Sequence, residues 1–321
     1  MRAAVDRCEL DLAGRTVLTE AGSGPYLVTP VLAAMAGAEV LALARSTRYA
    51  TGGELQAATS DLAARAGVAG RVRLVRAKTP DVLSAADIVT NSGQVRPIDA
   101  DMVGLLKRSA VIPLMYEAWE YRAGDVDLAA CRARNIPVAG TNESHPWVDA
   151  LAFVGVMAVR QLHDAGVAVY GSRIVLLCDN AFGPCIAAAL GNCGADVAQA
   201  RRLSPKLLAA PCDAVLLAVR PGRRPALTAA EARLLAQRVP GAVLVQFWGD
   251  VDRDDLAAAG LPAWPPDPPA AGHMGVLPSA VGPEPVIRLQ SGGLKVGELL
   301  ARGLEHATPQ QRDLVQTVSA R

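Results

Sequence analysis

Residues 15–44 read RTVLTEAGSGPYLVTPVLAAMAGAEVLALA, and their pattern decides the fold class. A β-branched run at Arg15–Thr19 breaks at the turn EAGSGPYL (Glu20 to Leu27), passes into a helical pattern near 25–36, and gives way to a second apolar run at Glu39–Ala44. Strand, turn, helix and strand in that order make a parallel pair, because parallel neighbours need a helical crossover between them. The same plan repeats downstream. Arg71–Val75 (RVRLV), Asp87–Thr90 (DIVT), Ala110–Met115 (AVIPLM) and Ile136–Ala139 (IPVA) read as four more strands, with helices near 53–66, 99–108 and 126–134. This alternation predicts an α/β fold with a Rossmann-like, doubly wound parallel sheet.

The texture changes at Ser144. Residues 146–165 form one long helical pattern, with Ser144 or His145 as N-cap, Pro146 at the first helical position and Gly166 as the stop. The alternation then restarts with strands at Arg173–Cys178, Asp196–Ala200, Ala214–Val219 and Ala242–Phe247, and with helical stretches near 183–192, 204–210 and 228–238. Residues 262–285 are too rich in proline and glycine for a long element, and a closing helix is expected at about 293–306. The expected organisation is an N-terminal Rossmann-like domain over residues 1–145, with the C-terminal stretch from about 286 to 321 packing back on it. Residues 146–285 supply the connecting helix and a second Rossmann-like domain. Such a pair is expected to turn the carboxyl ends of both sheets towards an interdomain cleft, where ligands of open α/β sheets sit.

Composition narrows the function classes. The 321 residues, 51% of them hydrophobic, are enough to bury two cores. With 32 basic against 31 acidic residues, a net of +1, the chain has no global field for nucleic acid or an anionic membrane. The longest apolar run, Ala150–Val159, stops at Arg160, whereas a bilayer span needs about twenty residues. Asp6, Glu9 and Asp11 interrupt any signal core, so a cytoplasmic protein is expected. The six cysteines are scattered, as small buried residues are, and no His/Cys/carboxylate spacing suggests a metal.

Two turns are candidate phosphate loops. In the first, Gly22 and Gly24 permit a tight turn and a close backbone approach before a helix N-terminus. The second strand ends ARSTR, so Arg45, Ser46 and Arg48 stand where an acidic residue would hold a ribose hydroxyl; arginines there favour NADP slightly over NAD. In the second, CDNAFG (178–183) keeps only Gly183 of the three-glycine fingerprint, and Asn180 takes the second position. A side chain at that position crowds a pyrophosphate, and Asp179 repels it if turned inward. For each loop a packing turn is the competing reading.

Residues 86–139, with the cadence ADIV…RPIDADMVGLL…VDLAACRARNIPVA, resemble the core of the D-2-hydroxyacid dehydrogenase superfamily. The likeness continues through GSRIVLL, DAVLLAVRP and AVLVQF to GHMG, about residues 86–276. The fuller N-terminal sheet is similar to that of the alanine dehydrogenase and adenosylhomocysteinase relatives. The resemblance implies hydride transfer between NAD or NADP and a 2-keto or 2-hydroxy acid. It places the family's acid–base histidine on His273 and its arginine within residues 246–250, where this chain has none. A carboxylate would then need other donors, with Asn91, Ser92, Gly93 and Arg122 as candidates.

Two further clusters stand at expected strand ends. MYEAWEYR (115–122) brings together Tyr116, Glu117 and Arg122, and GTNESHPW (140–147) brings together Asn142, Glu143 and His145; loop packing and helix capping compete with ligand contact for both. The expectation is an NAD(P)-dependent oxidoreductase acting on a small polar keto/hydroxy, or imino/amino, acid in the cleft. Its catalytic candidates are His273, Glu117 and His145. Its partners would be a small-molecule substrate and a second copy in a homodimer, with no nucleic acid and no membrane. The alternative is a protein that kept this architecture and lost hydride transfer: a ligand-binding module, a lyase or a hydrolase.

Overall fold

The computed structural model describes residues 1–47 and 49–318. The strands are β1 (Thr16–Glu20), β2 (Glu39–Leu43), β3 (Val72–Val75), β4 (Ile88–Val89), β5 (Ile112–Pro113), β6 (Val138–Thr141), β7 (Arg173–Leu177), β8 (Asp196–Ala200), β9 (Ala214–Ala218), β10 (Val243–Trp248), β11 (Ala263–Trp264) and β12 (Val315–Thr317). They fall into two compact units, Met1–Ala150 with Pro283–Arg321, and Leu151–Gly282.

In the first unit the order β3-β2-β1-β4 is parallel throughout, with Thr16 beside Glu39 and Val17 beside Ile88. A single Ile88–Val111 bridge joins it to β5 and β6, and β12 closes the far side antiparallel to β6. The switch point, where the strand order reverses, lies between β1 and β4. β1 is central, with Val17 and Leu18 wholly buried. Thr51 opens the Gly52–Arg65 helix with a capping box to Glu54, which satisfies two orphan amides at once. The Glu284–Arg302 helix lies against this unit by virtue of three glycines. A Cβ on Gly292 would meet Val148 at 2.5 Å, one on Gly293 would meet Met115 at 2.5 Å, and one on Gly297 would meet Ile88 at 2.8 Å.

The second unit is a five-stranded parallel sheet, β11-β10-β9-β7-β8, with its switch point between β7 and β9. Ile174, Val175, Leu176, Leu216, Leu217 and Leu244 are fully buried, as expected for strands covered on both faces. The doubly wound α/β class expected from the sequence is thus the one observed, in both units.

Several element boundaries differ. The long helix begins at Phe153, not Pro146, because Asp149 adopts a left-handed φ of 45° and residues before it turn. The closing helix starts at Glu284, not 293, and its glycines are contact surfaces. Residues 204–210 form only a 3-10 turn at Pro205–Leu208, and the strand expected at Ile136–Ala139 sits at Val138–Thr141. Among the described residues, no helix is long and apolar enough to cross a membrane.

Gly155 shows how tightly the second unit is built. A Cβ there would lie 2.5 Å from Ala189 Cβ and 2.6 Å from Cys185 O on the neighbouring Phe182–Asn192 helix. Alanine is the better helix former by about 1 kcal/mol, yet Gly155→Ala is expected to lower stability by about 1–3 kcal/mol through overpacking. Urea denaturation measures this; an unchanged or raised midpoint would show that the two helices have room.

Candidate functional site

In the first unit the switch point is spanned by side chains. Glu20, the last residue of β1, accepts the Gln94 backbone N–H at 2.8 Å, and Gln94 Nε2 donates to Ala21 O at 3.0 Å. Gln94 Oε1 also takes the Arg45 N–H at 2.6 Å, while Arg45 Nη2 donates to Gln94 O at 2.5 Å. Gln94 is buried, so the loops after β1, β2 and β4 meet on its amide. Gly22 is required by close approach to Tyr26, whose backbone O a Cβ would meet at 2.8 Å. Gly24 has a φ of +54°. Ser46 Oγ accepts the Gly52 N–H at 3.0 Å, beside the helix start. Arg45 therefore ties its loop to that of Gln94, Ser46 holds its own loop to the helix start, and Arg48 lies outside the described residues.

The other candidates of this unit gather at the carboxyl ends of β4, β5 and β6. Asn91 is buried; its Oδ1 accepts the Met115 N–H at 2.8 Å and its Nδ2 has no partner. Ser92 Oγ shares a 2.8 Å bond with Thr90 Oγ1, and Gly93 lies against the Glu20 carboxylate. Tyr116 donates to Asp125 at 2.9 Å, and burial, reinforced by Asp125, drives its phenol far above the ordinary range. Arg122 is half-buried nearby, its charge opposing that rise. Glu117 accepts from Trp119 Nε1, from the Glu143 N–H at 3.2 Å and from Gln316 Nε2 at 3.4 Å. Asn142 bonds Asp313 O at 3.0 Å and takes the Ser144 N–H at 3.1 Å.

His145 is not a helix cap. It is 2% exposed, its Nδ1 accepts the Trp147 N–H at 3.2 Å and its Nε2 lies 3.1 Å from Gln310 O. Both nitrogens serve the loop, which leaves the imidazole a structural pin and accounts for the turn that displaces the helix start. Glu143 is different. Burial, then the charges of Glu120 and Glu117, raise its pKa well above the usual carboxyl value and so favour the neutral form. Burial, with Glu20 and Glu143 adding to it, likewise pushes the Tyr26 phenol up to about 12.

The second unit closes its switch point in the same way. Asp179 Oδ1 accepts the Arg220 N–H at 2.9 Å, and Asn180 Nδ2 donates to Ala218 O at 2.7 Å. Asn180 Oδ1 also takes the Phe182 N–H at 3.0 Å, a donor at the helix N-terminus that a phosphate would otherwise use. Gly183 keeps the packing role of a third fingerprint glycine: a Cβ there would lie 2.5 Å from Gln199 Nε2.

At the end of β10 the chain makes an edge of another kind. The register with β9 shifts between Gln246 and Trp248, a bulge that turns the last residues out of the ladder. The loop carrying His273 is stitched to this bulge by three bonds. Gly275 N donates to Phe247 O at 2.8 Å, Trp248 Nε1 to Gly272 O at 3.2 Å, and Gly272 N to Asp250 Oδ1 at 2.8 Å. His273 is exposed there. Arg253 Nη2 donates to Gln246 Oε1 at 2.6 Å, Arg253 Nε is buried without a partner, and burial lowers its pKa. Sequence reading missed this arginine because it lies past the 246–250 window and comes to β10 through the turn before the Arg253–Ala258 helix. It also missed Glu20 and Gln94, which meet from 74 residues apart.

The Glu143 environment sets a pH dependence. A carboxyl whose folded pKa is raised binds its proton more tightly when folded, so its penalty appears as pH rises above the unfolded value. Glu143→Gln, which mimics the protonated form, is expected to match the parent near pH 4 and to exceed its stability increasingly towards pH 8, by at most about 1.4 kcal/mol per pH unit. Denaturation midpoints across that range measure the difference; a parent that gains on the variant as pH rises would reverse the assignment.

No family model matches the chain, and no curated protein matches it in sequence. Solved structures do. One component of dipicolinate synthase from Bacillus halodurans matches with a TM-score of 0.55 at 13% identity, over 91% of this chain and 99% of that one. Its counterpart in the dipicolinate synthase of Bacillus subtilis matches at 0.55 and 12% identity, over 92% and 98%. An oxidoreductase from Ralstonia solanacearum, provisionally assigned as a D-3-phosphoglycerate dehydrogenase, matches at 0.54 and 12% identity, over 93% and 97%. The chain therefore has the fold of these proteins along nearly its whole length, the fold that the resemblance over residues 86–276 implied.

Proposed function

We propose that this chain is an oxidoreductase of the dehydrogenase type, acting with NAD or NADP on a small keto/hydroxy, or imino/amino, acid. The observation that carries this reading is the edge at β10. An exposed imidazole is held on a stitched loop at a strand end that also carries a half-buried arginine, and among the described residues no carboxylate pairs with that arginine. In that role His273 exchanges a proton with the substrate oxygen or nitrogen, as an imidazole does near neutral pH. Arg253 holds the substrate carboxylate, with Gln246 fixing the guanidinium plane. Full-length likeness to a provisional phosphoglycerate dehydrogenase agrees with it at the level of fold.

The residues at the two switch points do not fit a dinucleotide as they stand. In each, a carboxylate and an amide occupy the crevice, and in the second unit the Phe182 N–H is already taken. These same bonds favour the second reading, a chain that kept the fold and acts on its acid without hydride transfer. The polar residues Arg45 and Ser46 lend NADP no advantage while Arg45 is held by Gln94 and Ser46 by Gly52.

Thermal shift with NAD, NADH, NADP and NADPH separates the two. Saturable stabilisation by one of them, about 2.7 kcal/mol at a hundredfold excess over Kd, is expected on the first reading; silence from all four at millimolar concentration leaves only the second. On either reading, Arg253→Met is expected to weaken oxalate binding about tenfold or more. Calorimetry reads this directly, and equal affinity in parent and variant would remove Arg253 from the site.

A further inference from the structure

Gln161 lies in the Phe153–Asp164 helix, is 1% exposed, and carries one amide that does two unequal things. Its Nε2 donates to Gln246 O at 2.9 Å, whereas its Oε1 is buried without a partner. The opposite amide orientation would set two oxygens against each other, so the orientation follows from the Gln246 carbonyl. An orphaned buried acceptor loses its hydration with nothing in return, and a methionine of similar length would avoid it. The glutamine therefore has work at the Gln246 carbonyl that outweighs this loss.

That carbonyl belongs to the β10 bulge, where two successive carbonyls accept from groups outside the sheet. Gln161 takes the first, Gln246 O, and Gly275 N takes the next, Phe247 O, at 2.8 Å. A Cβ on Gly275 would run into Gln246 O and come within 2.7 Å of Gln161 Nε2. Helix, bulge and loop thus meet at one point with no spare volume. Gln246 in turn spends its own amide on Gly249 O at 2.8 Å and on the Arg253 guanidinium at 2.6 Å. His273 is two residues from Gly275.

We propose that Gln161 is a positioning residue for the edge at β10: by holding the bulge carbonyl it fixes both the Gln246–Arg253 pair and the docking of the His273 loop. This rests on the reading of that edge as the ligand site. Gln161 touches no ligand in this scheme and acts through Gln246 and Gly275.

The test uses the full chain and two readouts. One is the exchange of the Trp248 indole N–H, which is bonded to Gly272 O and so reports loop docking; the other is oxalate affinity by calorimetry. Gln161→Met is expected to speed indole exchange about tenfold and to weaken oxalate about tenfold. Gly275→Ala, pressing on the same carbonyl from the loop side, is expected to move both readouts the same way and keeps the proposal testable if Gln161→Met does not fold. Leu235→Ala, a cavity in the core of the same unit, is expected to lower Tm without moving either. Parent-like exchange and affinity in both junction variants, or equal changes in Leu235→Ala, would overturn the proposal. If the parent itself fails to bind oxalate, the ligand reading of the edge falls, while the indole exchange still decides whether Gln161 holds the loop.

Discussion

A carboxylate that accepts a peptide N–H across the switch point, seconded by an amide side chain, is the interaction on which both halves of this chain depend. Where strand order reverses in a parallel sheet, the loops leaving two adjacent strands diverge, and their peptide groups face a gap that no ladder satisfies. In many sheets of this kind a ligand phosphate fills that gap. Here Glu20 with Gln94 does so in the first unit, and Asp179 with Asn180 in the second. The two solutions arise from unrelated stretches of sequence. Their agreement points to the physical demand of the switch point as their common cause.

The same demand explains where the remaining chemistry sits. With each switch point closed by its own side chains, the polar groups of interest are those at the strand ends beside it. In the first unit these are Asn91 Nδ2 and the buried Glu143, whose pKa is raised, surrounded by residues that are otherwise engaged with one another. In the second they are His273 and Arg253, carried by a bulge whose carbonyls are capped from a helix and a loop. Bulges re-aim side chains at the cost of ladder bonds, and Gln161 and Gly275 make good those bonds.

Much of the fold was legible in the sequence because the strands are β-branched, short and bounded by turn residues, as at RIVLLC and AVLLAV. The failures have local causes. The closing helix is expected only from about residue 293, yet it starts at Glu284, and Gly292, Gly293 and Gly297 are each a flat patch against Val148, Met115 or Ile88. His145 and Pro146 look like a helix start, yet the histidine ring pins a turn to Gln310 and Asp149 leaves the helical region. At the candidate site, the crowding by Asn180 was readable because the fingerprint position is local. The Glu20–Gln94 bond was not, since it joins residues from different crossovers, and the arginine at β10 was not, since it reaches Gln246 through the turn of a following helix.

Hydrogen exchange at three backbone amides tests the shared clasp most directly. Gln94, Phe182 and Arg220 lie in loops or at a helix start, where amides exchange quickly unless a side chain holds them. The account predicts protection at all three comparable to that of neighbouring strand amides, because Glu20, Asn180 and Asp179 accept their protons. Exchange at the rate of open loops would contradict it and return both switch points to the role of vacant ligand grooves.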